Sequence, residues 1–331
     1  MIVADQGEVV RFLADPATHG GNAVQRVETH AAIVFLAGER AYKLKRAVYF
    51  PYMDLSTVAK RRAACEAEVR LNRRTAPTIY RGAVPICRAP GGGLRFGEGG
   101  AAVDWVVAMN RFDQATLFDR LAARGALSDA LLAALVEAIA KFHDRAERRP
   151  DGGGAASMRR VLESNAIELG AAACLDQNRV AALMAASFAL IDSHAALLDR
   201  RRAEGFVRHC HGDLHLRNIY LIGGRPTLFD AIEFDERFAV IDVLYDLAFL
   251  LMDLLHRQLG RAANLVFNRY LWRCEDVAGL ALLPLFLSCR AAIRAHVGGA
   301  AADIHADPSA GAASAAEARA YLDLARALVA P

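Results

Sequence analysis

The sequence contains few lysines and no large excess of charge of either sign. Of its 40 basic residues only four are lysines, Lys43, Lys45, Lys60 and Lys141. The 40 basic residues nearly balance 37 acidic ones, so a net charge of +3 gives no electrostatic reason to expect a nucleic-acid partner. Because arginine supplies almost all of the positive charge, each lysine is a candidate for chemistry that suits an ammonium group.

The sequence also lacks disulfide, zinc-ribbon and targeting patterns. Its six cysteines contain no C-x-x-C pair and are widely and irregularly spaced, so we expect free thiols in a reducing cytoplasm. No basic segment followed by an apolar one opens the chain, so no signal peptide is expected. The apolar stretches 239–255 and 279–289 carry aspartates or Pro284, and we expect neither to span a bilayer, which needs about 20 apolar residues. These absences predict a cytoplasmic protein without membrane association.

The remaining composition predicts an α+β fold. Hydrophobic residues make up 54% of the 331 residues, enough to bury a large core. Residues 30–36 and 41–45 flank a turn and predict a β-hairpin, and residues 80–87 and 101–109 predict two more strands. Residues 54–75 predict a helix that Asp54 or Ser56 caps. From residue 114 on helical periodicity dominates, with a strand–loop–strand segment over 207–234 and a small-residue loop over 298–318.

Most of the candidate catalytic and metal-binding residues lie in one polar segment. Residues 209–218 read HCHGDLHLRN and precede a predicted hairpin that ends at residues 227–230, TLFD. The ends of this hairpin would place Asp213, Asn218 and Asp230 on loops facing one way. Carboxylate and amide oxygens are the ligands that Mg²⁺ prefers. The segment therefore predicts an oxygen-rich metal site.

Residues 211–218, HGDLHLRN, resemble the catalytic loop H-G-D-x-x-x-x-N of the aminoglycoside phosphotransferase family, a branch of the protein-kinase-like fold. Asp230 stands where kinases have the aspartate of D-F-G. Residues 240–248, VIDVLYDLA, resemble the family's Asp-Leu-Ala helix start. In the first hundred residues, the segments 41–45, AYKLK, and 68–71, EVRL, resemble the strand with the ATP-binding lysine and the helix with its glutamate partner.

The resemblance implies a two-lobed protein-kinase-like fold. Residues 1–110 would form a small N-terminal lobe with an antiparallel sheet and one helix, and residues 111–331 a larger helical lobe. The sequence is most similar to a bacterial branch found alone or fused to a P-loop ATP-binding domain. The chain has no G-x-x-x-x-G-K-[ST] motif, so we expect a stand-alone member.

The resemblance also implies an activity, the ATP- and Mg²⁺-dependent transfer of the γ-phosphate to a hydroxyl of a small molecule. Asp213 would accept a hydrogen bond from the attacking hydroxyl and take its proton late. Asn218 and Asp230 would hold Mg²⁺, and Lys43 would hold the α- and β-phosphates, oriented by Glu68.

Two further residues would act on the loop itself. His211 would support the catalytic loop rather than react, and Asp246 would accept hydrogen bonds from the backbone of that loop.

Several of these assignments have competitors. Lys45 shares a strand face with Lys43 by the two-residue period, and Glu66 is a rival of Glu68. Residues 233–236 contain three carboxylates, Glu233, Asp235 and Glu236. They are either surface charge or they attract an amine-bearing acceptor electrostatically. No glycine-rich loop precedes the lysine strand, and residues 19–22, HGGN, are the one glycine pair upstream of it.

Two other classes of function stay open. A non-catalytic nucleotide-binding module is one, although pseudokinases typically lose the catalytic aspartate or a metal ligand, and all matched positions here keep usable residues. A metal-dependent hydrolase is the other, because His209, His211, Asp213 and His215 alternate. The H-x-H-x-D-H pattern of metallo-β-lactamase-like enzymes needs a histidine directly after the aspartate, where this chain has Leu214.

Overall fold

The computed structural model describes residues 2–29, 31–50, 53–97, 99–304 and 307–330. Its internal contacts divide the chain into two compact units. Unit 1 runs through Arg124 and also contains the later segments Asn218–Gly223 and Thr227–Glu236. Unit 2 contains Gly125–Arg217, Gly224–Pro226 and the chain from Arg237 onward. The sequence predicted a single boundary at residue 110, so the extension of unit 1 to Arg124 and its inclusion of two later segments are new findings.

Unit 1 is built on a six-stranded sheet in which every neighbouring pair is antiparallel, in the order β1-β2-β3-β8-β6-β7. The predicted hairpin is present, with Val34 opposite Lys43 and Ala32 opposite Lys45. In chain order, the elements before the central helix are α1 (Gly7–Ala14), β1 (Val24–Glu28), β2 (Ala32–Ala37), β3 (Arg40–Lys45), β4 (Tyr49–Phe50) and β5 (Met53–Asp54). After that helix, α2 (Val58–Asn72), come β6 (Tyr80–Arg88), β7 (Leu94–Phe96), β8 (Ala102–Asn110) and α3 (Phe118–Ala123).

Helix α2 starts later than predicted because a different residue caps it. Thr57 accepts a hydrogen bond from the Lys60 amide, at 3.3 Å, which satisfies a free N–H of the first turn. The predicted cap Asp54 instead accepts the Ser56 amide in the preceding turn. The helix buries Cys65 and Val69 against the sheet, together with the carboxylate of Glu68. The packing of α2 therefore carries one charged group into the interior.

Unit 2 consists mainly of helices. A two-stranded pair fixes the chain on either side of the HGD loop, residues 211–217, which begin with His-Gly-Asp. Strands β9 (Val207–His209) and β12 (Val240–Asp242) are antiparallel, with His209 opposite Val240. The intervening hairpin is formed by β10 (Ile219–Ile222) and β11 (Arg225–Leu228). The helices are α4 (Asp129–Arg145), α5 (Gly154–Ala171), α6 (Gln177–Ala203), α7 (Val243–His256), α8 (Gly260–Cys274), α9 (Leu283–Ile304) and α10 (Pro308–Val329).

A buried ion-pair network fixes the start of α7. The guanidinium of Arg201 on α6 binds Asp242 at 2.7 and 2.9 Å and Asp276 at 2.5 and 2.7 Å. Burial alone would lower the pKa of Arg201, but these two carboxylates raise it. Asp242 is also the N-cap of α7, accepting the Leu244 amide at 2.9 Å. The network therefore anchors the helix that presents Asp246 one turn later.

The predicted loop over residues 298–318 is wrong, because helix occupies most of it. Helix α9 continues to Ile304, and α10 begins at Pro308, where Asp307 caps it by accepting the Ser309 amide. Alanine has the highest helix propensity, and the two glycines of α9 in this stretch, Gly298 and Gly299, lie where the helix passes close to neighbouring chain. A small-residue composition thus reflects close helix packing here rather than an irregular loop.

Among the residues that the structure describes, two helices are long and apolar enough, by length and composition, to cross a membrane, Gln177–Ala203 and Ala278–Asp303. The prediction that residues 279–289 are too short for this is wrong, since they belong to a longer helix. About 61% of the apolar window in the second helix is buried in the fold, as in the core helix of a protein outside any membrane. This composition alone is therefore weak evidence for a membrane segment.

Candidate active site

Both predicted lysines of β3 converge on Glu68 of α2. Lys43 Nζ lies 3.0 Å from Glu68 Oε1, and Lys45 Nζ contacts Glu68 Oε2. The side chain of Glu68 is fully buried, while Lys43 keeps 15% of its side-chain surface exposed and Lys45 only 3%. The rival Glu66 faces solvent and pairs with Arg62 at 2.8 Å. The structure therefore places Glu68 beside Lys43, with Lys45 as a second partner.

Two carboxylates from the segment after β11 complete this group. Lys43 Nζ lies 2.6 Å from Asp230 Oδ1, and Lys45 Nζ contacts Glu233 Oε1. The Asp230 side chain is 39% exposed, but that of Glu233 is only 10% exposed. The assignment of Glu233 to surface charge or to acceptor attraction is wrong, because its carboxylate is used inside unit 1. We call these five residues the lysine–carboxylate cluster.

The cluster shifts the pKa values of its members strongly. Burial alone would raise the pKa of Glu68, but Lys43 and Lys45 outweigh it and lower that pKa to about 2. Burial alone would lower the pKa of Lys43, but Asp230, Glu68 and Glu233 raise it well above its usual value. For Glu233 burial prevails over Lys45 and raises the pKa. At neutral pH the lysines are therefore charged, and one of them is partly open to solvent.

The backbone at Asp230 adopts a left-handed conformation, with φ of 61°. Such a conformation costs roughly 1–2 kcal/mol for residues other than glycine and is tolerated best by aspartate and asparagine. Two hydrogen bonds hold it: the Asp230 amide donates to the Tyr80 hydroxyl at 3.2 Å, and the Ala231 amide donates to Asn72 Oδ1 at 2.8 Å. These supports from β6 and α2 direct the carboxylate towards Lys43, and backbone strain of this kind is common at functional sites.

Asn218 lies at the same end of the hairpin as Asp230. Its carbonyl accepts the amide of Phe229 at 3.0 Å, which puts Asn218 opposite the residue before Asp230. The side chain of Asn218 is nearly buried, and Asp230 Oδ1 has Lys43 as its neighbour. An amide oxygen and a partly exposed carboxylate at one hairpin end form a donor set that fits Mg²⁺.

The HGD loop of unit 2 presents Asp213. His215 Nε2 lies 3.3 Å from Asp213 Oδ2, and 35% of the Asp213 side chain is exposed. Burial would raise the pKa of Asp213, but His215, His211 and Arg294 together hold it below its usual value. His211 is fully buried and its Nδ1 accepts the Asp213 amide at 3.3 Å. Asp213 is thus an ionised, accessible carboxylate on a loop that His211 supports.

Asp246 holds this loop through its backbone. The Asp246 carboxylate accepts the amides of His211 and Gly212, at 3.1 and 2.8 Å, as predicted from the sequence. It also accepts a hydrogen bond from His143 Nε2 at 3.0 Å, and His143 Nδ1 lies 2.7 Å from the Tyr270 hydroxyl. Sequence reasoning missed His143, which belongs to α4 and carries no local motif that points to the loop.

The structure does not favour the predicted zinc cluster. Among the residues that the structure describes, the one group with metal-ligating atoms close enough together is His143, Cys210 and Asp246, not the alternating residues 209–215. In that group, Asp246 is already used by three hydrogen bonds and the Cys210 thiol donates to the Ile241 carbonyl at 3.5 Å.

Residues 19–22 lie on the face of β3 opposite its lysines, since the His19 ring is 5.2 Å from that of Tyr42, whose side chain alternates with Lys43. Asn22 packs against Gly38, at the β2–β3 turn, whereas Lys45 lies at the other end of β3 opposite Ala32. The glycine pair there forms a turn that leads from α1 into β1. The structure therefore gives no support to a phosphate-covering role for it.

A family model described as the phosphotransferase enzyme family matches residues 49–283. The match covers more than half of the chain, so the chain belongs to this family. It includes Glu68, the HGD loop, Asp230 and Asp246, but begins after Lys43.

Two mycobacterial proteins are similar to this chain over most of its length. Uncharacterized protein Rv2004c of Mycobacterium tuberculosis (strain ATCC 25618 / H37Rv) is 30% identical over 277 residues, which cover 82% of this chain and 53% of that protein. Uncharacterized protein Mb2027c of Mycobacterium bovis has the same identity and coverage. The chain therefore spans about half the length of the curated relatives it matches.

Solved structures share the fold at low sequence identity. Aminoglycoside 2'-phosphotransferase-IIIa in its GDP complex has a TM-score of 0.57 and 14% identity, covering 97% of this chain and 99% of that one. A thermostable mutant of aminoglycoside phosphotransferase APH(4)-Ia with ADP and hygromycin B has 0.53 and 12%, with coverages of 97% and 99%. A choline/ethanolamine kinase family protein from Mesorhizobium loti has 0.51 and 15%, with coverages of 97% and 98%. The predicted two-lobed, kinase-like α+β fold is confirmed.

Proposed function

We propose that this chain transfers the γ-phosphate of ATP to a hydroxyl group of a small molecule. The observation that carries the proposal is the position of Lys43 Nζ, 3.0 Å from Glu68 and 2.6 Å from Asp230. A partly exposed ammonium group held between a buried carboxylate and a potential metal ligand suits the phosphates of a nucleotide. Membership of the phosphotransferase family supports the same reaction class.

Three residues of the lysine–carboxylate cluster, together with Asn218, have defined tasks in this proposal. Lys43 binds phosphate oxygens, and Glu68 fixes the position of its ammonium group. Mg²⁺, held by Asn218 and Asp230, would supply positive charge that neutralises the transferring phosphoryl group. The strained backbone of Asp230 keeps its carboxylate oriented before nucleotide binds, so little reorganisation accompanies the reaction.

Asp213 orients the acceptor. Its carboxylate is ionised at neutral pH because its pKa is low, so it accepts a hydrogen bond from the acceptor hydroxyl. The hydroxyl oxygen forms a bond to the γ-phosphorus while the bond from that phosphorus to the bridging oxygen breaks and ADP departs. The hydroxyl proton passes to Asp213 late in the step, because a carboxylate of low pKa is a weak base, and then to solvent. Asp246 and His211 keep the loop in place.

The proposal is tested over a panel of hydroxylated metabolites and aminoglycosides by measuring ADP formation from ATP and, in parallel, GDP formation from GTP. Asp213→Asn should lower turnover by roughly two to four orders of magnitude, with nucleotide affinity within a few-fold of wild type. Asp192→Asn, an exposed aspartate of α6 paired with Arg159, is the matched control and should behave as wild type. Unchanged turnover in Asp213→Asn would remove Asp213 from the mechanism. Nucleotide binding without turnover across the panel would favour the non-catalytic module.

A further inference from the structure

A small basic cavity of unit 2 lies beside Asp213. It contains about 250 Å³ of space not filled by protein, including its open mouth, and its inner part has room for about one water molecule. Its polar lining comes from the HGD loop, α7, α9 and α10, and consists of His215, Arg217, Asp253, Arg257, Arg294 and Tyr321. His215 joins the cavity to the loop, since its Nε2 lies 3.3 Å from Asp213 Oδ2.

The charges around this cavity are mostly positive, with three arginines against one aspartate. That aspartate, Asp253, is already bound, because it accepts the Arg257 Nε at 2.9 Å and the Leu216 amide at 3.0 Å. The exposed Glu317 of α10 is a further carboxylate close enough to affect Arg294. Asp213 is also near enough to affect Arg294, so three carboxylates stand against the three arginines. An added negative charge would therefore have to bind an arginine that no carboxylate pairs with.

Arg294 is the guanidinium best placed to bind such a charge. It forms no ion pair in the part of the chain that the structure describes, and its guanidinium instead lies 5.4 Å from the centre of the Tyr321 ring. It is also near enough to Asp213 to affect its pKa. Arginine binds carboxylate and phosphate groups through a planar pair of donors. An anionic group at Arg294 would sit beside the carboxylate that orients the acceptor hydroxyl.

We infer that the phosphate acceptor carries a carboxylate or phosphate group that Arg294 binds in this cavity, so that the preferred acceptors are anionic hydroxyl compounds. This inference rests on the proposed function. It replaces the sequence-based expectation of an amine-bearing acceptor, which depended in part on Glu233, a residue now found paired with Lys45.

The test compares acceptors of one skeleton and different charge. Glucuronate, glucose and glucosamine form one set, and glycerate, glycerol and 3-amino-1,2-propanediol form a smaller one. We expect the anionic member of a set to have a kcat/KM at least about tenfold above the neutral and cationic members, which corresponds to about 1.4 kcal/mol. Arg294→Gln should remove that preference, and Arg294→Lys should retain part of it. Arg326→Gln, an exposed arginine of α10 outside the cavity, should preserve it.

A binding measurement tests the inference in variants whose catalytic turnover is too low to compare acceptors. Inorganic phosphate, at constant ionic strength, should raise the melting temperature of wild type and of Arg326→Gln but have a smaller effect on Arg294→Gln. Equal phosphate effects in all three would overturn the inference, as would equal or better turnover of the neutral or cationic acceptors. In those cases nucleotide binding and turnover would still support the proposed function. A wild type that nucleotide does not stabilise and that consumes no acceptor would instead refute the proposed function.

Discussion

At the scale of single residues, the two lysines of β3 differ in their surroundings although they share one partner. Lys45 is almost entirely buried between Glu68 and Glu233, whereas Lys43 keeps some exposure and reaches Asp230. Removing one partner of a buried ion pair leaves an uncompensated charge and typically costs about 3–5 kcal/mol. A partly exposed partner can be replaced by water at lower cost. We therefore expect loss of Lys45 mainly to lower stability, and loss of Lys43 mainly to weaken nucleotide binding.

We expect Lys45→Ala to lower the free energy of unfolding by about 3 kcal/mol or more, and Lys43→Ala to lower it less. Lys43→Ala should weaken nucleotide binding or turnover more than Lys45→Ala does. Urea unfolding and nucleotide titration measure the two effects. Adding Glu233→Gln to Lys45→Ala should recover part of the lost stability, since it removes the stranded carboxylate. A larger loss of nucleotide affinity in Lys45→Ala would shift the phosphate-binding role to Lys45.

The lowered pKa of Glu68 makes a prediction about acid stability. In the unfolded chain a glutamate titrates near pH 4.3, whereas the folded pKa is about 2. The stabilisation from its ionised form is complete above the unfolded pKa and is lost as the pH falls through the folded value. We therefore expect wild type to lose on the order of 3 kcal/mol more than Glu68→Gln between about pH 5 and 2. Glu66→Gln, at an exposed site on the same helix, should retain the wild-type slope; a wild-type slope in Glu68→Gln would contradict this account.

Much of the site at this scale could be predicted from sequence. Resemblance to the family's motifs identified Lys43, Glu68, Asn218 and Asp230, which the structure brings into one unit, although their roles stay predictions. The burial of Glu233 could not be predicted, because it depends on a contact with Lys45 across 188 positions of the chain. A run of carboxylates after a strand has the same local pattern whether it faces solvent or a buried lysine.

At the scale of elements, α9 depends on glycine for its close contacts in unit 2. A Cβ atom built at Gly299 would lie 2.9 Å from the Cβ of Ala172, and one at Gly298 would lie 3.3 Å from that of Ala318. Gly170, in α5, has nothing within 4 Å of such an atom. Helix propensity favours alanine over glycine by about 1 kcal/mol in a helix interior. Packing therefore decides whether a glycine-to-alanine substitution stabilises or destabilises the protein.

We expect Gly299→Ala to destabilise the protein by about 1–3 kcal/mol, because overpacking outweighs the gain in helix propensity. Gly170→Ala should stabilise it by about 0.5–1 kcal/mol, because it gains propensity without a clash. Chemical denaturation of the two variants beside wild type makes the comparison. Stabilisation of both variants would show that α9 moves away at no cost.

Element prediction succeeded where local patterns decide structure and failed where packing does. The hairpin of β2 and β3 and helix α2 followed from alternation, a turn and a capping residue. Helix α1 was missed, since its eight residues are too few to stand out from the surrounding strand pattern. The stretch 298–318 was assigned to a loop because glycine weakens a helix in isolation, yet here it permits close approach.

At the scale of the whole molecule, the fold was predicted through one loop motif rather than from element order. The order of strands in the sheet and the inclusion of Asn218–Gly223 and Thr227–Glu236 in unit 1 involve contacts between distant parts of the chain. Periodicity reports only which face of an element is buried, not which element covers it. The motif indicated which elements lie together, because residues that take part in one reaction must lie close to each other in the fold.

The last prediction concerns the stability of the whole chain with its proposed nucleotide. A ligand that binds only the folded state stabilises it by about 2.7 kcal/mol at a hundredfold excess over its Kd, so ATP with Mg²⁺ should raise Tm by a few degrees. Asp230→Asn should lose most of the Mg²⁺-dependent part of that rise. Asparagine is the sharper substitution here, because it tolerates the left-handed backbone of Asp230 that alanine would strain.

Asp192→Asn again serves as the control and should keep the full Mg²⁺-dependent rise. ATP with EDTA separates the contribution of Lys43, which should persist without the metal, from that of Asp230. A rise that Mg²⁺ enhances equally in wild type and Asp230→Asn would show that Asp230 is not a metal ligand. Its ion pair with Lys43 would then be the reason for the strained backbone, because a salt bridge held at 2.6 Å requires the same orientation of the carboxylate.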